Sequence, residues 1–149
     1  MKSVDGTNRP PSDKLPHEIF TELEALPKPK RAAFLKENES FVLKTILQGA
    51  FNSKIALDLP EGEPPYEKDQ CPAGMSMARL SNTIKVLGKL VVGDTRLSKL
   101  QKEVTFVKLL EGVNEPDAQI LIAMKDKTLG TLYPSLDVKL VQKVFPEIL

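Results

Sequence analysis

Apolar side chains recur at spacings of three and four along most of the chain, a period that suits helices and argues against strands. Leu15, Ile19, Leu23 and Leu26 form the first stripe, with Pro16 suited to a first helical turn. Pro27 and Pro29 interrupt the pattern, and PKPKRAAFLKEN restarts it with Ala33, Phe34 and Leu35. A broad third stripe in ESFVLKTILQGAF holds Val42, Leu43, Ile46, Leu47 and Ala50. Further on, SMARLSNTIKVLGKLVV reads as a helix that stops at Gly93. The next is DTRLSKLQKEVTFVKLLEGV, with Asp94 or Thr95 as cap and Leu97, Leu100, Val104, Val107 and Leu110 on one face.

The stretch NEPDAQILIAMKDKTLG, residues 114–130, carries both ends of a helix in its sequence. Asn114 is placed to cap, Pro116 sits in the first turn, and Asp117 can reach back as the acid of a capping box. Ile120, Leu121 and Met124 point inward, and Lys125 and Lys127 lie at the negative helix end. Gly130 suits the left-handed closing conformation. In the final segment, PSLDVKLVQKVFPEIL, Ser135 is a cap, Leu140, Val141, Val144 and Phe145 make the stripe, and Pro146 stops it. Six or seven helices and no strand define an all-α fold, and 149 residues suffice for one core. One helical module over 15–149 is expected, after a flexible arm at 1–14.

The periodicity fails between residues 52 and 75, where LPEGEPPYEKDQCPAG predicts a long irregular loop over the surface. Residues 58–69 carry five acids against Lys68, net −4. Either this is a solvated connection that packs Tyr66 onto the core, or it binds a partner through Glu61, Glu63, Tyr66 and Glu67.

Nucleophilic and metal chemistry find little support. The lone His17 reads as a surface residue, and with the single Cys71 it makes no zinc cluster. Neighbouring acids would raise the Cys71 pKa and so disfavour a reactive thiol, and Met75 and Met77 read as core fillers. No glycine-rich phosphate loop and no patterned carboxylate pair occurs. No run of apolar residues is long enough to span a membrane, and the first 14 residues lack a signal core. A cytoplasmic, non-enzymatic protein without cofactor or metal is expected.

The total charge of +1 conceals an uneven distribution. Arg79, Lys85, Lys89, Arg96, Lys99, Lys102 and Lys108 face only Asp94 and Glu103 over residues 79–108, which is net +5. Lys85 with Lys89, and Lys99 with Lys102, have the spacing of residues that share a helix face. A solvated amphipathic surface accounts for such pairs. So does contact with nucleic-acid phosphates, where counterion release supplies most nonspecific affinity.

The order of segments resembles the N-terminal helical DNA-binding domain of ATP-dependent DNA ligases, the short phage type in particular. IFTELEALPKPKRAAFLKENESFVLKTILQGAFNSKIAL (19–57) is similar to that domain's opening, and KLLEGVNEPDAQILIAMKDKTLGTLYPSLDVKLVQKVFPEIL (108–149) to its end. The chain also resembles a family of small proteins from T4-like and marine cyanobacterial phages, which carries the same LPEG-PPY loop. The ligase resemblance implies that Lys125, Lys127, Thr128 and Gly130 lie near phosphate in the turn between the last two helices. TLYPSL lengthens that turn, and Thr128 stands where the ligases tend to carry a basic residue. No Lys-x-Asp-Gly motif occurs, so ligation is not expected. The resemblance implies a phage-encoded module that contacts double-stranded DNA through that turn, in replication or repair within a bacterial host, and the charge pattern adds Lys85, Lys89, Lys99 and Lys102 to the expected contacts. The competing reading is an adaptor or inhibitor that presents its acidic loop to a replication or transcription protein of host or phage.

Overall fold

The computed structural model describes residues 14–68 and 76–149, and within them the apolar stripes fold as eight α-helices with no strand. Helix α1 (Pro16–Ala25) buries Pro16, Ile19, Phe20 and Leu23. After the break at Leu26 and Pro27, α2 (Lys28–Glu37) buries only Leu35, as expected of a segment with four basic residues in ten. Ser40 accepts a hydrogen bond from Leu43 N at 3.0 Å and opens α3 (Phe41–Phe51), whose Val42, Leu43, Ile46, Leu47 and Ala50 are all buried. Ser76 caps α4 (Met77–Ile84), which tightens into a 3-10 turn at Lys85–Lys89. Four more helices follow: α5 (Lys99–Glu111), α6 (Glu115–Lys125), the short α7 (Leu129–Leu132) and α8 (Val138–Val144). A 3-10 turn at Pro146–Ile148 ends the chain, as Pro146 requires.

Helix α3 lies at the centre, packed against α4, α6 and α8, while α1 rests on α2 and α6. The buried apolar residues from Leu15 to Ile148 form one continuous cluster. Distant segments are also stitched together at its rim. Glu24 accepts from Ser135 N at 2.6 Å, and Asn52 Nδ2 donates to Ile148 O at 2.9 Å. The loop after α3 is tied to the segment after α4 by Asp58 N donating to Leu90 O at 2.7 Å and Val92 N to Ala56 O at 2.9 Å, around an isolated Leu57–Val91 bridge.

Several local expectations are overturned by these long-range contacts. Helix α5 starts later than predicted, capped by Ser98 with Gln101 in a reciprocal box, while Asp94 instead binds Arg96. Its buried face carries Lys102, Phe106, Leu109 and Leu110, so Leu100 is 70% exposed and Val104 47%. Asn114 occupies the N-cap position of α6 without a side-chain bond, and Asp117 does not turn back to it but is buried against α1. The last helix is capped by Asp137, which accepts from Leu140 N at 2.8 Å, not by Ser135.

Gly130 does not close α6. Lys127 takes the left-handed conformation there, at φ 61°, and Gly130 lies within α7, where a Cβ would sit 3.0 Å from Leu136 O. Lys14, expected in the flexible arm, is held by Glu22 at 2.7 Å and lies over the Phe34 ring. The rest of that arm, Cys71, Met75 and the side chain of Met77 lie outside the described residues.

Candidate functional site

The lysines singled out by charge divide into two groups once folded. Lys102 points into the protein from the first turn of α5, its side chain 3% exposed, and its ammonium binds Asp58 Oδ2 at 3.2 Å and Val91 O at 3.1 Å. Lys125 is equally buried at the end of α6. It donates to Pro60 O at 2.8 Å and Gly62 O at 2.9 Å and pairs with Asp126. Lys127 reaches across to the carboxyl end of α3, where Gly49 O, Asn52 O and Ile55 O all accept from its ammonium. A cation there neutralises the negative end of the α3 dipole, and burial lowers the Lys127 pKa. All three ammonium groups are thus engaged by groups of the protein itself, Lys102 and Lys125 as buried residues and Lys127 as an exposed one. Thr128 stays exposed at the turn, its amide donating to Ala123 O at 2.8 Å.

The remaining cations are exposed and gather at one end. Lys85 and Lys89 sit on the 3-10 turn after α4, so they do not share a face as they would on an α-helix. Lys85 reaches only Asn82, at 3.4 Å. Arg96 Nη2 donates to Gly88 O at 3.5 Å, beside Lys89, and pairs with Asp94, whose carboxyl that contact lowers to about 2. Lys99 stands 3.7 Å from Asp58, the residue bonded to Leu90, and its side chain is 72% exposed. Arg96 and Lys99 are thus brought beside the 88–90 backbone that follows Lys85, with Asp94 and Asp58 as their respective carboxylate partners among the described residues. Arg96 was part of the basic segment but not of the expected contact set. The Gly88 contact that brings it in has no local sequence signal.

The acidic loop is pinned from beneath. Gly62 N donates to both oxygens of Asp126, at 3.2 and 3.1 Å, on the same residue that neutralises Lys125. Gln119 on α6 donates to Glu63 Oε1 at 3.0 Å, Tyr66 Oη at 3.1 Å and Glu115 Oε2 at 3.0 Å, while Tyr66 Oη donates to Glu115 Oε1 at 3.0 Å. Partial burial and that carboxylate push the Tyr66 pKa up to about 12. Glu67 N donates to Glu111 Oε2 at 2.9 Å, and Lys68 pairs with Glu63 at 3.1 Å. Tyr66 therefore packs on the core as the connection reading expected, while Glu61, Glu63 and Glu67 remain at the surface. Between this loop and α5 runs an apolar cleft of about 620 Å³.

The family model described as "Family of unknown function (DUF6433)" matches residues 22–131. The chain belongs to that family. No curated protein and no solved structure is significantly similar to it. The DUF6433 span takes in the pinned loop, the exposed cations and the α6 ties, and stops before α8. Among the described residues of this DUF6433 protein no group of His, Cys, Asp and Glu could hold a metal ion, and no helix is long and apolar enough to cross a membrane.

Proposed function

We propose that the protein is a non-catalytic module that binds the backbone of duplex DNA through the end formed by residues 85–99. The observation that carries this reading is the exposure of Lys85, Lys89, Arg96 and Lys99 within residues 85–99, where Asp94 and Asp58 are the carboxylates paired with Arg96 and Lys99 among the described residues. Ammonium and guanidinium groups in such an arrangement neutralise phosphates without reading bases. Arg79 and Asn82 on α4 are exposed side chains beside this end with base-reading chemistry, and the lysines that outnumber them act as point charges on phosphate. The resemblance of the segment order to the helical domain of DNA ligases supports the same reading. Its turn side chains are set aside, because Lys125 and Lys127 already bind carbonyls.

The test is a titration of wild type and two double variants against two unrelated duplexes across a salt series. Lys85→Ala/Lys89→Ala is expected to weaken binding equally on both duplexes. It should also flatten the dependence of log affinity on log salt by about 0.9 for each phosphate that is no longer neutralised. Lys139→Ala/Lys143→Ala, on exposed positions of α8, is expected to leave both quantities unchanged. Absence of wild-type binding at low salt overturns the function. Weakening confined to the α8 variant overturns the site.

A further inference from the structure

The cleft beside α5 is apolar where a surface helix ordinarily carries charge. Leu100 and Val104, one helical turn apart, form its near wall at 70% and 47% exposure, and Leu59, Pro60, Pro64 and Pro65 form the far wall. The ring of Phe106 closes the floor. Collapse of the far wall onto α5 would hide these side chains, but the loop is held off. Lys125 grips Pro60 O and Gly62 O, Asp126 receives Gly62 N, and Glu111 receives Glu67 N. The opening is thus built in advance, which lowers the ordering cost of filling it. Its volume, about 620 Å³, is within the range of ~300–1,000 Å³ typical of ligand-binding clefts.

We propose that this cleft docks a basic amphipathic helix of a partner protein. The rim supplies the charge argument: Glu61, Glu103 and Glu111 stand around the apolar walls, opposed by Lys108, while Lys125 is already neutralised by Asp126. An occupant with apolar side chains and flanking Lys or Arg complements both features. The walls decide its conformation. Prolines offer carbonyls but no N–H, and the α5 backbone is bonded within its own helix, so the carbonyls of an extended strand entering here would find few donors. A helix brings its backbone already satisfied and lays an i, i+3, i+4, i+7 ridge into the groove.

The probe is a fluorescein-labelled helical peptide of about sixteen residues with Leu at i, i+3, i+4 and i+7 and Lys on the flanks, followed by anisotropy. Two controls accompany it, one with the same composition scrambled out of helical register and one with Glu for Lys. Saturable binding of the first peptide alone is expected. Leu100→Ser/Val104→Ser, on exposed positions, is expected to weaken it at least tenfold with an unchanged circular dichroism spectrum. Glu61→Gln/Glu103→Gln is expected to weaken it severalfold. No binding, or equal binding of the scrambled peptide, overturns the proposal. So does a wild-type dimer in sedimentation that the Leu100/Val104 variant dissociates, because the occupant is then a second copy. DNA affinity of the Leu100/Val104 variant is expected to match wild type, which separates this surface from the basic end.

Discussion

A lysine's position in sequence says little about where its ammonium goes. Lys125 has the look of a helix-end cation available to an anion, yet its side chain is 2% exposed and serves as a clamp for the acidic loop. Replacing it by Met keeps the volume and removes the clamp. Lys125→Met is expected to cost about 3 kcal/mol in denaturant unfolding, since Asp126 and two carbonyls lose their partner. It is also expected to expose residues 60–68 to limited proteolysis.

His17 is a second case. Expected as a surface residue, it is half-buried, and both its amide N and Nδ1 lie 3.0 Å from Asp117 Oδ1. The hydrogen bond to Asp117 raises its pKa above the ordinary 6.5, against the opposing effect of burial. A raised folded value means that protonation favours the folded state. That stabilisation is complete below the unfolded value of 6.5 and is lost as pH rises through the folded one. Thermal melts should therefore show wild type losing stability, relative to His17→Gln, as pH is raised from 6 toward 8. Parallel profiles for the two proteins would remove the linkage.

Helix boundaries follow the same division between local and distant causes. Ser98, not Asp94 or Thr95, closes the start of α5, because only Ser98 is followed at the third position by a Gln whose side chain returns the bond. Ser98→Ala is expected to destabilise by about 1 kcal/mol in chemical unfolding, while Thr95→Ala stays within a few tenths. The reverse order would restore the earlier start. Helix α1 has a remote cap, since Asp117 accepts the His17 amide from 100 residues away. At the same interface, Glu18 Oε1 accepts from Leu15 N at 2.8 Å, a bond that sequence spacing does announce.

Over the whole molecule, first and last helical segments share one core, so damage at either end should be felt everywhere. Phe145 is fully buried at the carboxyl end of α8, and the ammonium groups of Lys36 on α2 and Lys44 on α3 stand over its ring at 5.5 and 5.6 Å. Phe145→Ala is expected to cost about 4 kcal/mol and to lower one common transition seen by circular dichroism and by tyrosine fluorescence. Two separated transitions would show that the α1–α2 and α6–α8 regions are independent units.

The helix expected to run to Gly93 ends at Ile84 and its 3-10 turn at Lys89. What the sequence determined by itself was the all-α class, the stripes of α1, α3 and α8, and the breaks at Pro27 and Pro146. These depend on interactions within a turn or two, where period and proline sterics act directly. The outward turn of Leu100 and Val104, the partners of Lys102, Lys125 and Lys127, and the cap on α1 were decided only by the tertiary structure. The reason is reach. An ammonium on four flexible carbons, or a carboxylate on a buried helix, takes whichever oppositely polar group packing brings within about 3 Å. Apart from Asp126, which adjoins Lys125, those partners lie 11 to 100 residues away along the chain.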